Sequence, residues 1–228
     1  MKKVGIIGGI GPASTLDYYS GIIDGYRAKT NDGNYPEIVI NSINMTEMLL
    51  YVSSEEWDSL VDMLLKAIKN LADAGAEFAA IASNTPHIVF DRVKEKSVLP
   101  LMSIVEATCN HVRQQGCRRV VVIGTRFTMS SGLYSEAFKK YGITAIVPSD
   151  DEQIAIHNII FPKLEDGVVL PEDKETMLSI VNGLLARNNA DGLILGCTEL
   201  PLMIKDDDLD TFVFNTTRIH IDSIIEMI

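Results

Sequence analysis

Two stretches decide how this chain folds: FAAIASNTPH (78–87) and GLILGCTELP (192–201). Each begins as a short apolar run of strand character, stops at a small or hydroxyl-bearing residue, and turns before a proline. Laid over one another, they set Ser83 opposite Cys197, Thr85 opposite Glu199, Ala76 opposite Ala190 and the acid Glu77 opposite Asp191. A second matched pair lies upstream, VGIIGGIGP (4–12) with Gly8 closing its run and VVVIGTRFT (120–128) with Gly124 closing its own. The intervals agree: Gly8 to Ser83 is 75 residues and Gly124 to Cys197 is 73. A repeat of that length is too long for a solenoid unit and predicts two homologous α/β lobes.

Working outward, EIVINS (37–42) and VLPLMSI (98–104) supply further strand-like runs, separated by segments of helical character, which is the pattern of a parallel sheet. Between them, EEWDSLVDMLLKAIKNLADA (55–74) places Trp57, Leu60, Met63, Leu64, Ile68 and Leu71 at three- and four-residue spacing and stops at Gly75. One face of that helix is expected to be buried. The fold class is therefore α/β: two pseudo-symmetric lobes, each a parallel four-stranded sheet flanked by helices, with the active site in the cleft between them. The first lobe is expected over 1–103 plus 207–228, completed by FVFNTTRIHIDSIIEM (212–227), and the second over 104–206.

The 228 residues are 46% hydrophobic and 22% charged, an ordinary balance for a globular chain. No apolar run approaches the roughly 20 residues that span a bilayer, and the run in MKKVGIIGG is too short for a signal-peptide core, so no membrane association and a cytoplasmic location are expected. A net charge of −11 without long Lys/Arg runs argues against nucleic acid as a partner. It also means that an anionic small molecule must be held by local donors rather than by the global field. Cys109, Cys117 and Cys197 are an odd number without C-x-x-C spacing, which argues against a disulfide framework or a structural zinc. No metal site is expected.

Ligands of open α/β sheets bind beyond the carboxyl ends of the strands, here the turns after Gly8, Ser83, Gly124 and Cys197. Cys197 stands between an apolar strand and a helix expected to start at Thr198-Glu199, where free N–H groups and the helix dipole favour a thiolate. The competing reading of such a cysteine is a small core residue, and Cys109 and Cys117 fit that one.

At these residues the sequence resembles the aspartate/glutamate racemase family, through GIIGGIGPAST (5–15), SNTPH (83–87), GTRFTM (124–129), GCTELP (196–201) and NTTRIH (215–220). The resemblance covers nearly the whole chain in order. It implies removal of a Cα proton by one cysteine and its return on the other face by a second, with neither pyridoxal phosphate nor metal as cofactor. This chain carries Ser83 where most members have the first cysteine. A hydroxyl is a far weaker acid than a thiol of pKa about 8.5, so symmetric two-thiol chemistry does not follow. Three readings stay open: a racemase of aspartate or glutamate with unequal bases, a single-cysteine relative of decarboxylase or isomerase type, or a chain whose natural cysteine was replaced by serine to trap a ligand.

Around the two bases, Asn84, Thr85, Thr125, Thr128 and Thr198 offer donors for an α-carboxylate, with Ile10 and Gly11 in the first turn. Plain helix capping is the competing role of the hydroxyl and amide residues. Arg126 is the one arginine in the four turns and suits a second carboxylate. Some relatives carry an arginine for that carboxylate within residues 44–50; none stands there here, and Lys163 is the weaker substitute. His87 and His220 read as packing or capping residues. A dinucleotide site is disfavoured because Ser14 replaces the third glycine of G-x-G-x-x-G and no acid ends the second strand. An amino-acid-binding protein that kept the cleft but lost one base is the non-enzymatic alternative. A homodimer is expected as the commonest symmetric assembly.

Overall fold

The computed structural model describes residues 1–228. The apolar runs form eight strands. β1 (Val4–Gly8), β2 (Ile38–Ser42), β3 (Phe78–Ile81) and β4 (Leu101–Met102) make one sheet in the order β2-β1-β3-β4. β5 (Arg119–Ile123), β6 (Thr144–Ile146), β7 (Gly192–Leu195) and β8 (Phe212–Asn215) make another in the order β6-β5-β7-β8. All pairings are parallel. The central strands β1, β3 and β7 are buried along their whole length and β5 beyond its first residue, which is why they read as unbroken apolar runs rather than as alternation.

The matched acids do the same job in both sheets. Glu77, just before β3, accepts the Lys3 amide at 2.8 Å, and its own amide donates to the Lys3 carbonyl. Asp191, just before β7, accepts the Arg118 and Arg119 amides at 2.9 and 3.1 Å while donating to the Arg119 carbonyl. Each acid thus pins the start of the neighbouring central strand.

The chain divides into two compact units, 1–107 with 217–228, and 108–216. This differs from the expected 1–103 with 207–228 and 104–206, and packing explains the difference. The closing segment 212–227 splits in two. Its strand half, β8, pairs with β7 in the second sheet, where Phe214 lies over Gly192: a Cβ at that glycine would fall 2.7 Å from the Phe214 ring. Its helical half, Thr216–Met227, belongs from Thr217 onward to the first unit. There Ile221 and Ile225 sit where Gly21 and Gly25 of the helix Pro12–Thr30 leave room, and with Ile224 they join a core of Val4, Ile6, Tyr18, Ile22 and Phe78. Each such side chain contributes about 1.5–3 kcal/mol by leaving water.

The helix Trp57–Asp73 buries Leu60, Leu64, Ile68 and Leu71 as its periodicity predicts, together with Val61 and Ala67; Trp57 and Met63 at the edge of the stripe are half-buried. It ends through Gly75, in the left-handed region at φ 87°, whose amide donates to the Ala72 carbonyl. In the second unit, Val121, Ile123, Leu193 and Leu195 pack with Ile156, Ile160, Met177, Val181 and Leu184 from the flanking helices. No helix is long and apolar enough to cross a membrane.

Candidate active site

Register gives Ser83 and Cys197 equivalent positions. In the first sheet Ile7 pairs with Ile81 and Ser83 follows two residues later; in the second Ile123 pairs with Leu195 and Cys197 follows two residues later. Both residues stand at the carboxyl ends of central strands.

In the first unit, Gly9 adopts φ 85°, and a Cβ there would lie 2.5 Å from the Ile43 carbonyl oxygen, so the turn after β1 requires glycine. Thr15 closes this turn: its hydroxyl oxygen accepts the Gly9 amide at 2.8 Å and donates to the Gly11 carbonyl at 3.1 Å. Ile10 is buried and Gly11 half-buried just ahead of Pro12, the first residue of the helix. Ser14, which breaks the dinucleotide fingerprint, donates to the Ala82 carbonyl at 3.0 Å and so ties this turn to the residue before Ser83. Ser83 is half-buried, Asn84 buried, and Thr85 opens a short 3-10 turn, Thr85–Val89.

In the second unit, Thr125 caps the short helix Arg126–Ser130, accepting the Thr128 amide at 3.3 Å, with the two hydroxyls 3.1 Å apart. These two threonines are engaged with one another as a cap. Arg126 is exposed, and its charge helps to hold His157 below the usual histidine range, after the larger effect of burial. Lys163 is ion-paired with Asp173 at 3.2 Å, so a substrate carboxylate at that lysine has a competitor already in place.

The environment of Cys197 corrects the expectation of a dipole-stabilised thiolate. The helix that follows is only Leu200–Met203, and Thr198 and Glu199 form the turn before it. Cys197 is 8% exposed, and its Sγ donates to Glu199 Oε2 at 3.0 Å. Burial pushes the thiol well above its ordinary range, and the carboxylates of Glu199 and Glu165 push further; the Glu199 backbone N–H acts in the opposite direction. Thr198 donates its hydroxyl to the same Glu199 oxygen at 2.8 Å. The resting group is a thiol bonded to a carboxylate. Burial, with Glu199 and Asp166 nearby, also raises Glu165.

In the sequence Glu199 carries no chemical signal beyond its place two residues after the cysteine, which puts it in the same turn. Glu165 carries no signal of that kind, being separated from Cys197 by the helix Pro171–Asn188 and β7.

Two parallel sheets of one topology, with a hydroxyl and a thiol at the same register position beyond a central strand of each, define a duplicated α/β protein. The sequence profile of the Asp/Glu/Hydantoin racemase family matches residues 7–224, and the chain belongs to that family. It is an amino-acid racemase. An aspartate racemase homologue from Pyrococcus horikoshii OT3 superposes with a TM-score of 0.89 at 39% identity, covering 100% of this chain and 99% of the other. The Picrophilus torridus aspartate racemase superposes with a TM-score of 0.79 at 25% identity, covering 100% of this chain and 94% of the other. The broad specificity amino-acid racemase RacX of Bacillus subtilis (strain 168) is 26% identical over 204 residues, 86% of this chain and 85% of that protein.

Proposed function

We propose that this chain racemises an acidic amino acid, aspartate or glutamate, with Cys197 removing and returning the Cα proton on one face and Ser83 serving the other. The observation that supports this reading is the register equivalence of the two residues, each two positions past a paired strand end. Arg126, an exposed guanidinium at the end of β5, is the group proposed for the side-chain carboxylate, and the Asn84–Thr85 turn for the α-carboxylate. The two bases are unequal. A thiol gives up its proton far more readily than a serine hydroxyl does, so proton transfer at the Ser83 face limits full racemisation.

The test is α-proton exchange into deuterated water with both enantiomers of aspartate and glutamate, and with neutral amino acids as comparison. Deuterium should wash into one enantiomer of an acidic substrate faster than the enantiomers interconvert. Cys197→Ala should abolish wash-in, while Arg126→Ala should raise KM for acidic substrates more than for neutral ones. Exchange that survives Cys197→Ala would sink the assignment of the base, and exchange confined to neutral amino acids would sink the acidic substrate.

A further inference from the structure

We infer that Glu199 is the internal proton acceptor for Cys197, so that the base is made inside the protein by transfer within a thiol–carboxylate pair. The inference rests on the reading of Cys197 as the base. The geometry carries it: Sγ donates to Glu199 Oε2 at 3.0 Å, both side chains are largely buried at 8% and 9% exposure, and the Thr198 hydroxyl holds the same oxygen at 2.8 Å.

Charge decides between the two ways of making a thiolate here. Losing the proton to solvent would add a negative charge to a buried site that faces the carboxylates of Glu199 and Glu165, the second of which faces Asp166. Like charges at such distances in a low dielectric are costly. Moving the proton from Sγ to Oε2 leaves the net charge of the pair unchanged. The Glu199 backbone N–H faces the sulfur and stabilises the anion left there. One residue thus supplies both the acceptor for the proton and a donor to the thiolate.

The steps balance. The S–H bond breaks and an O–H bond forms at Oε2, the electron pair staying on sulfur. The thiolate then takes the Cα proton, forming S–H, and the C–H electron pair moves into the substrate's carboxylate as an enediolate. Return of a proton to Cα from Cys197 regenerates the thiolate, which recovers its proton from Glu199. Glu199 acts through Cys197 and is in that sense a positioning and proton-accepting residue.

The experiment compares the unsubstituted protein with Glu199→Gln and Glu199→Asp, reading deuterium wash-in against pH and, separately, alkylation of Cys197 by iodoacetamide followed on its own peptide, with buried Cys109 and Cys117 as internal controls. Glu199→Gln removes the internal acceptor of the Sγ proton, so alkylation of Cys197 near neutral pH should become slower. Exchange near neutral pH should fall with it, by about a hundredfold or more, and what remains of both should rise with pH. Glu199→Asp, one methylene shorter, should keep part of the exchange and the pH profile of the unsubstituted protein. If Glu199 merely repels the thiolate, alkylation and exchange rise together in Glu199→Gln, which overturns the inference; so does exchange that stays undiminished in either variant. Should the Gln variant not fold, a loss of at least threefold in the Asp variant is the supporting result. Absence of wash-in by the unsubstituted protein overturns the racemase reading itself, whereas failure of the pair alone leaves that protein active.

Discussion

His87 Nδ1 lies 2.9 Å from the backbone carbonyl oxygen of Ser83, and its Nε2 accepts the Ile104 amide at 3.3 Å. A ring accepting at Nε2 carries its proton on Nδ1, so His87 is a neutral donor to the Ser83 carbonyl. It holds the Ser83 backbone in place and leaves the hydroxyl free. The ring also stacks on Phe90 with centroids 5.0 Å apart and meets His220 edge-on at 6.4 Å. His220 in turn bonds Tyr18 Oη through Nδ1 at 2.7 Å.

These two buried imidazoles make the first unit acid-sensitive. Burial pushes His87 down to about 4, and burial followed by the charge of His87 pushes His220 down to about 3. Each is neutral when folded and takes up a proton near 6.5 when unfolded, so the unfolded state binds more protons between those limits. Stability is therefore fully present above about pH 6.5 and is lost as pH falls toward 4, by about 3 kcal/mol for His87 alone. Urea midpoints measured between about pH 8 and pH 4 should show that loss, and the slope should flatten in His87→Gln. A slope that His87→Gln leaves unchanged would assign the acid sensitivity elsewhere.

A second prediction concerns the packing that returns the C-terminal helix to the first unit. A Cβ on Gly25 would stand 2.3 Å from Ile225 Cδ1. Gly25→Ala gains about 1 kcal/mol in helix propensity but overpacks the contact at a cost of about 1–3 kcal/mol, so a net destabilisation of about 1 kcal/mol is expected. Ile225→Val deletes that methyl alone and costs about 0.5–1.5 kcal/mol by itself. In the Gly25→Ala background it should be neutral or stabilising, because the clash leaves with the methyl. Additive effects in the double-mutant cycle would mean that the two residues do not compete for this space.

Much of this arrangement is legible in the sequence, because strand-end chemistry and burial leave local marks. Gly8, Ser83, Gly124 and Cys197 follow apolar runs that are central strands, and the paired acids Glu77 and Asp191 anchor equivalent strand starts. What is not legible depends on side chains that meet from distant segments. The strand half of 212–227 pairs with β7 because Phe214 fits over Gly192, a contact that no periodicity encodes. The protonation of Cys197 is set first by its burial, then by the direction of the Glu199 side chain and by Glu165, and an N-cap rule applied to the turn points the opposite way. Lys163 reads as a free cation until Asp173 is seen beside it.

The last prediction follows from the inequality of Ser83 and Cys197. Replacing Ser83 by Cys puts a thiol at the matched strand end, on a backbone already held by His87 through its carbonyl and by Ser14 through the preceding residue. A thiol exchanges protons much closer to neutral pH than an alcohol does, so racemisation should rise by at least tenfold, and its pH profile should acquire a second thiol ionisation. Ser83→Ala should act in the other direction: on the proposed assignment it lowers interconversion of the enantiomers and leaves deuterium wash-in at the Cys197 face. On that assignment the two rates separate the roles, wash-in reading Cys197 alone in Ser83→Ala and interconversion reading both residues. If Ser83→Cys brings no gain and Ser83→Ala leaves interconversion intact, Ser83 takes no part in proton transfer, and the second proton must come from another group or from solvent.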